Sequence, residues 1–243
     1  MRVLQVSAEF FPLLKTGGLA DVAGALPLAL ASAGQDVRVL LPGFPSILAG
    51  LSDAADVAEV EAPWGQRARL RAGRIVVPGG AHVTAYVLDA PALYDRPGTP
   101  YEDASRRPYA DNARRFALLG WAAARLARGL DPTWQPAVVH AHDWHAGLAP
   151  AYLAFDAAAG GPRVGSVFTV HNLAYQGVFP PSDFAGLGLP PAAFDVNGLE
   201  YHGQLSFMKA GLYFSDRLTT VSPTYAREIQ TPEQGCGLDG LLR

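Results

Sequence analysis

The sequence predicts an α/β fold, an open, doubly wound and mostly parallel sheet covered by helices on both faces, with an added β meander. Two observations predict it. Apolar runs of strand length alternate with longer stretches of helical spacing through most of the 243 residues. Residues capable of chemistry then fall just past strand ends, where open α/β sheets bind ligands. The length fits one large α/β domain better than two small ones, so residues 1–243 are read as one domain.

The elements follow in order. Residues 2–7 and Val37–Leu41 are short apolar runs of strand length, the second closed by Pro42. Between them Leu19, Val22, Ala23, Leu26 and Leu30 recur at helical spacing, so residues 19–33 read as a helix. Pro27 removes a backbone donor inside it and is expected to kink or split it, while Gly34 suits the left-handed residue at its end. Four shorter stretches, Val57–Val60, Arg67–Arg71, Ile75–Val77 and Val83–Leu88, form the meander, and residues 91–107 make a long loop.

Residues 109–128 form an amphipathic helix with Phe116, Leu119, Ala123 and Leu126 on one side and Arg114, Arg115, Arg125 and Arg128 as polar positions. A strand at 137–140, a helix reaching 158 and a strand at 166–170 come next. An excursion rich in Gly and Pro, residues 177–203, leads to a helix at 205–214 and a strand at 218–221. A last helix starts at Pro223 with Ser222 as its N-cap.

Composition removes several function classes. A formal net charge of −3 gives no electrostatic case for nucleic acid or an anionic membrane. The start of the chain lacks the pattern of a signal peptide, and no run of about 18 apolar residues exists to span a bilayer, so a soluble cytoplasmic protein is expected. Cys236 is the sole cysteine, which excludes an intrachain disulfide and a multi-cysteine metal site.

Three stretches carry candidate chemistry. In Lys15-Thr16-Gly17-Gly18-Leu19 the glycines allow close approach of a ligand, and the following helix turns its free N–H groups and positive end toward it. Unit charges about 4 Å apart interact by roughly 4 kcal/mol at an effective dielectric near 20. A helix end contributes only about 0.3 to 1 kcal/mol, so Lys15 is expected to dominate the binding of an anion. The loop matches neither the dinucleotide fingerprint nor the P-loop spacing, and the same residues are compatible with a tight turn.

His140, His142, Asp143 and His145 crowd one strand end, as metal ligands or, favoured here, as the lining of a polar cleft with His140 buried. Asp143 fits a supporting hydrogen-bond partner, a sugar hydroxyl acceptor or a helix cap. His171-Asn172 at the next strand end is a hydroxyl-binding pair or base, or else a turn beside a satisfied histidine. Tyr94, Tyr101, Trp144, Tyr175 and Phe179 fall in loops near these ends, able to present ring faces to sugars or to pack.

Taken together, Glu9 to Val22, Tyr94 to Tyr101, His140 to His145, Thr169 to Gly177 and Thr220 to Ala226 resemble the N-terminal half of bacterial glycogen synthase and plant starch synthase. The stretches run in family order across the chain, and the long Lys-Thr-Gly-Gly-Leu stretch is specific. The resemblance implies the Rossmann-like N-terminal, acceptor-side half of a two-domain GT-B glycosyltransferase. Such an enzyme transfers glucose from ADP-glucose to the non-reducing end of an α-1,4-glucan with retention of configuration.

By the same resemblance Lys15, Gly17 and Gly18 match the loop at the nucleotide diphosphate and donor sugar, with Asp21 just behind. His171 matches the histidine beside the glucose, with Asn172 next to it, and Asp143 and Tyr94 match residues of the sugar cleft. His171 and Asp143 are the catalytic candidates. Neither a metal nor a cofactor is implied.

The chain stops at Arg243, where the family's second, nucleotide-binding domain should begin, so this polypeptide alone is expected to show no appreciable transferase activity. Two rival readings are a stand-alone glucan-binding module or inactive homologue, and a metal-dependent hydrolase using His140, His142 and His145.

Overall fold

A computed structural model describes residues 1–158, 160 and 163–243. Its centre is β1 (Arg2–Val6), whose residues 3 to 6 are all buried, as a strand covered on both faces requires. The chain then forms α1 (Gly18–Ser32) and β2 (Asp36–Pro42), which lies parallel to β1. Pro27 does not split α1: the helix runs through it, and Pro27 is buried on the same face as Ala20, Ala23 and Gly24. Gly34, at φ +78°, closes the helix by donating to the Ala31 carbonyl while Gln35 N–H reaches Leu30.

Next come α2 (Pro45–Ala49), which sequence reading missed, β3 (Leu51–Glu61), β4 (Arg67–Val76) and β5 (His82–Asp89). The expected meander resolves into two different things. β5 is parallel to β2 and belongs to the main sheet, whereas β3 and β4 form an antiparallel hairpin added at its edge. The two fragments expected around Gly73 are one strand. A Cβ at Gly73 would lie 2.6 Å from the Ser52 carbonyl oxygen, so glycine lets β3 and β4 stay paired there.

After α3 (Pro91–Tyr94) and a loop comes α4 (Asn112–Ala127), and it corrects the amphipathic reading. Nearly every position of α4 is buried, Arg115 included at 1% exposure. Arg115 is tolerated inside because carbonyls accept its donors: Leu93 O at 2.7 Å, Pro100 O at 2.9 Å and the Asn112 side-chain oxygen at 2.7 Å. Rings of Tyr109, Phe116, Phe44 and Tyr94 surround the guanidinium.

β6 (Val138–His142) returns to the other side of β1 and pairs with it in parallel. The helix expected after it is broken at Gly147 into α5 (Asp143–Ala146) and α6 (Leu148–Ala158). Then β7 (Gly165–Val170) lies beside β6. The excursion holds β8 (Val178–Phe179) and β9 (Glu200–Tyr201), which sandwich β10 (Gln204–Ser206) in a small antiparallel sheet.

The helix expected from 205 therefore starts later, as α7 (Phe207–Phe214), with the Ser206 hydroxyl oxygen accepting the Lys209 N–H at 3.1 Å. β11 (Arg217–Thr220), α8 (Pro223–Glu228) and α9 (Asp239–Leu242) finish the chain, and Ser222 caps α8 as expected.

The main sheet has eight strands in the order β11-β7-β6-β1-β2-β5-β4-β3. From β1 the chain winds outward to β5, then crosses back to wind the other way through β6, β7 and β11. The reversal lies between β1 and β6, so the crevice beyond their carboxyl ends is where a ligand site is expected. The doubly wound, mostly parallel sheet read from the sequence is the fold observed.

Candidate active site

Three strand ends converge on that crevice. β6 delivers Asp143, which holds φ +56°, a left-handed conformation that Asp adopts more readily than most residues. From there its Oδ1 accepts the backbone N–H of His171 at 2.9 Å and of Asn172 at 3.4 Å. The neighbouring His142 places Nδ1 3.0 Å from His171 Nε2. His140 Nε2 lies 2.6 Å from the Thr169 hydroxyl, which meets the Thr219 hydroxyl at 2.6 Å. The ends of β6, β7 and β11 are thus cross-tied by side chains as well as by the ladder.

The end of β1 contributes Glu9 and the Lys15–Gly18 loop. Glu9 is 2% exposed, and its carboxylate accepts the Thr16 N–H at 2.7 Å, the Gly17 N–H at 3.4 Å and the Tyr101 hydroxyl at 2.5 Å, besides the Thr16 hydroxyl. The loop itself, Lys15 to Gly18, is exposed. Gly17 caps α1 in an extended conformation (φ −153°), and no side chain caps the helix.

A Cβ on Gly17 or Gly18 would meet nothing within 4 Å. Neither glycine has a positive φ, so neither backbone conformation nor packing within the chain demands glycine at either place. The tight-turn reading loses its reason, and open space kept in front of a helix N-terminus remains.

Two details correct the sequence reading of this loop. The N–H groups of Thr16 and Gly17 already serve Glu9, which leaves the first turn of α1 to meet an anion. Lys15 Nζ is 2.8 Å from both oxygens of Asp21, and the two side chains are 47% and 50% exposed. A cation half in water and already paired gives an arriving anion closer to 1 kcal/mol than to the roughly 4 kcal/mol of an isolated pair.

Burial governs the site's protonation. It pushes His140 and His171 down to about 4 and His145 to about 3, and holds His142 well below the usual imidazole value. Asp143 moves the other way, up to about 7, through burial; its two backbone donors pull it down and the Glu9 charge pushes it up. His171 feels the same Glu9 charge in the raising direction, which places Glu9, Asp143 and His171 in one electrostatic neighbourhood.

His142 and His145 are buried at 0% and 5%, so they do not line a cleft as expected. His145 stacks on Tyr101 with centroids 4.6 Å apart. Among the described residues no group of three or more His, Cys, Asp or Glu side chains is arranged to hold a metal ion.

Lys15, Gly17, Gly18, Asp21, Asp143, His171 and Asn172 thus gather at the ends of β1, β6 and β7, with Asn172 exposed and its Oδ1 accepting the Ala174 N–H at 3.1 Å. Tyr94 is the exception. Its ring is 1% exposed against Phe44, and its hydroxyl donates to the Arg115 carbonyl at 2.8 Å, so it supports the cleft from behind instead of facing it. Glu9 is the member that sequence reading left without a role, an acidic residue just past β1 in a mostly apolar run being the available signal. Tyr101, expected as a ring for sugars or for packing, stacks on His145 and bonds Glu9.

An open groove in the segment that follows His171 is lined by Trp144, Ala174, Tyr175, Gln176, Gly177 and Tyr201, with Tyr175 67% exposed. Gly177 sits at φ +58° with its Cβ position 2.3 Å from the Trp144 ring, so only glycine lets the chain pass over that indole.

Comparison with known proteins gives the family. A family profile described as the starch synthase catalytic domain matches residues 2–243. A glycogen synthase of Variovorax paradoxus is 77% identical over 245 residues, covering all of this chain and 50% of that protein, and one of Leptothrix cholodnii is 64% identical with the same coverage. The chain thus spans about half the length of these curated relatives. The solved catalytic domain of starch synthase IV from Arabidopsis thaliana, bound to ADP and acarbose, superimposes with a TM-score of 0.82 at 28% identity, covering 99% of this chain and 49% of that one. The chain belongs to the starch synthase catalytic domain family.

Proposed function

We propose that this chain is the N-terminal, acceptor-side half of a cytoplasmic glycogen synthase. With a second, nucleotide-binding domain it transfers glucose from ADP-glucose to the non-reducing end of an α-1,4-glucan with retention of configuration. The observation that carries the reading is the pair of glycines, Gly17 and Gly18, whose empty Cβ positions front the uncapped end of α1 on a loop held by Glu9, the carboxylate whose charge also reaches His171.

In this reading the first-turn amides of α1 and Lys15 receive the diphosphate, with Lys15 exchanging Asp21 for a phosphate oxygen. His171, held neutral by burial, stands beside the donor glucose without adding positive charge where the anomeric carbon develops its own. Asp143 acts through His171 by fixing its backbone, which makes it a positioning residue. Asn172 lies at the sugar's edge, and the groove with the exposed Tyr175 ring receives the glucan.

The relatives named glycogen synthase and the structural neighbour with ADP and acarbose support this assignment. Because the chain spans about half the length of its relatives, the chain by itself is expected to leave maltodextrin unextended in the presence of ADP-glucose.

The test uses the chain extended to the length of its relatives. Lys15→Ala is expected to raise KM for ADP-glucose about tenfold, equivalent to roughly 1.4 kcal/mol, while KM for maltodextrin changes less than about twofold. Unchanged donor kinetics would remove the loop from the donor site, and elongation at enzymatic rates by the 243-residue chain would refute the need for a second half.

A further inference from the structure

Glu9 has no part in the transfer scheme above, yet it is the most heavily hydrogen-bonded carboxylate of the crevice. Oε2 takes the Thr16 and Gly17 N–H groups, at 2.7 and 3.4 Å, and Oε1 takes the hydroxyls of Thr16 and Tyr101. The donors come from two separate segments, one leading into α1 and one in the loop before α4.

The second segment is itself fixed. Tyr101 stacks on His145, its carbonyl accepts the Asn112 side-chain amide at 2.9 Å and the Tyr109 N–H at 3.2 Å, and the preceding Pro100 carbonyl accepts from buried Arg115 at 2.9 Å. Glu9 therefore hangs an exposed loop from a buried frame. The exposed loop has little else to hold it: space stands open at the Cβ position of each glycine, and Lys15 makes a half-exposed ion pair and lies over the Phe11 ring.

We propose that Glu9 is a positioning residue for donor use, locking the Lys15–Gly18 loop to Tyr101 so that the first turn of α1 faces the diphosphate. At 2% exposure it acts through the loop and does not touch the ligand. The inference rests on the donor-site reading of the loop given above.

Shape and charge make different demands here, which supplies the test. A glutamine keeps the arrangement: its carbonyl oxygen accepts the two N–H groups, and its NH2 donates to the Thr16 and Tyr101 hydroxyl oxygens once those hydroxyls rotate. An alanine removes the acceptor that all four groups share. Glu9→Gln should therefore rescue what Glu9→Ala loses.

Hydrogen exchange on the chain as it stands reads the lock without any ligand. Glu9→Ala is expected to speed exchange of the Thr16 and Gly17 amides at least about tenfold, and Glu9→Gln less than about threefold. In the chain extended to the length of its relatives, Glu9→Ala should raise KM for ADP-glucose about tenfold while kcat and the maltodextrin KM stay within about twofold, with Glu9→Gln near wild type.

Unchanged exchange in Glu9→Ala overturns the proposal, and so does a Glu9→Gln variant as defective as Glu9→Ala, since charge and not geometry would then matter. Should Glu9→Ala fail to fold, Tyr101→Phe and Thr16→Val each remove one donor hydroxyl, and both must speed exchange at the same two amides. Wild-type enzyme that ignores ADP-glucose would refute the donor-site reading on its own, because the exchange result does not depend on it.

Discussion

The crevice at the ends of β1, β6 and β7 and the β3–β4 hairpin at the far edge of the same sheet use the same charged residue types in opposite ways. In the hairpin, acidic residues on β3 answer arginines on β4: Glu61 with Arg67, Glu59 and Asp56 with Arg69, Asp53 with Arg74. These pairs are largely in water. In the crevice and its supporting helix, Glu9, Asp143 and Arg115 are each below 7% exposed and are held by amides, hydroxyls and carbonyls.

Neutral partners make burial tolerable without cancelling the charge, so it still acts on its neighbours, as Glu9 acts on Asp143 and His171. Opposite charges in water cancel and act on nothing.

The comparison is most easily broken at Arg115. Arg115→Ala would leave the Leu93 and Pro100 carbonyls without that donor and open a hole among four aromatic rings. A loss of about 3 to 5 kcal/mol in urea denaturation is expected. Lysine should recover only part of it, because an ammonium cannot reproduce the planar fork that reaches Leu93, Pro100 and Asn112 together. A cost below about 1 kcal/mol would place Arg115 with the hairpin arginines.

A pH series sharpens the comparison next. His140, His145 and His171 titrate near 4, 3 and 4 when folded and near 6.5 when unfolded, and His142 shifts in the same direction. Between these values the unfolded chain binds more protons, so the stability these groups confer is present above about pH 6.5 and is lost as pH falls through about 4.

Asp143, raised to about 7, has the opposite sign: its contribution is present below the unfolded value near 4 and fades as pH rises through 7. Four histidines outweigh one carboxyl. The melting temperature is expected to climb between pH 4.5 and about 6.5, and replacing His142 with Gln should flatten the climb. A flat profile in the wild-type chain would mean that these imidazoles are solvated.

How legible these regions were in the sequence follows from the range of the forces involved. Periodicity located β1, α1, β2, β6 and β7 because each buries its own apolar residues. It failed at α4, where the surface the helix meets decides burial: Arg115 reads as a polar position until Leu93 and Pro100 are brought to it from outside the helix. It failed at β4 as well, where Gly73 looks like a break but is a close approach to Ser52.

In the site, Lys15, Gly17, Gly18 and His171 were legible as types at strand ends. Glu9 was not, because its meaning lies in a hydroxyl contributed 92 residues later. Tyr94 was misplaced for the reciprocal reason: its place just past β5 is visible in sequence, but the short helix α3 that carries it and the Phe44 ring that hides it are not.

The smallest effect is expected at Arg74, and its smallness is informative. Arg74 pairs with Asp53 across the irregular start of the hairpin, with side chains 52% and 62% exposed. Arg74→Ala should cost about 0 to 1 kcal/mol at low salt, and the difference from wild type should vanish near 1 M NaCl, where the screening length falls to about 3 Å. β3 is nonetheless an edge strand with unpaired backbone groups along one side, and its carboxylates would face one another if two copies met there. The hairpin's charges therefore guard an edge more than they hold a fold. A loss of several kcal/mol in Arg74→Ala that persists in salt would mean that exposed and buried arginines do the same work, and the contrast drawn between the two regions would fail.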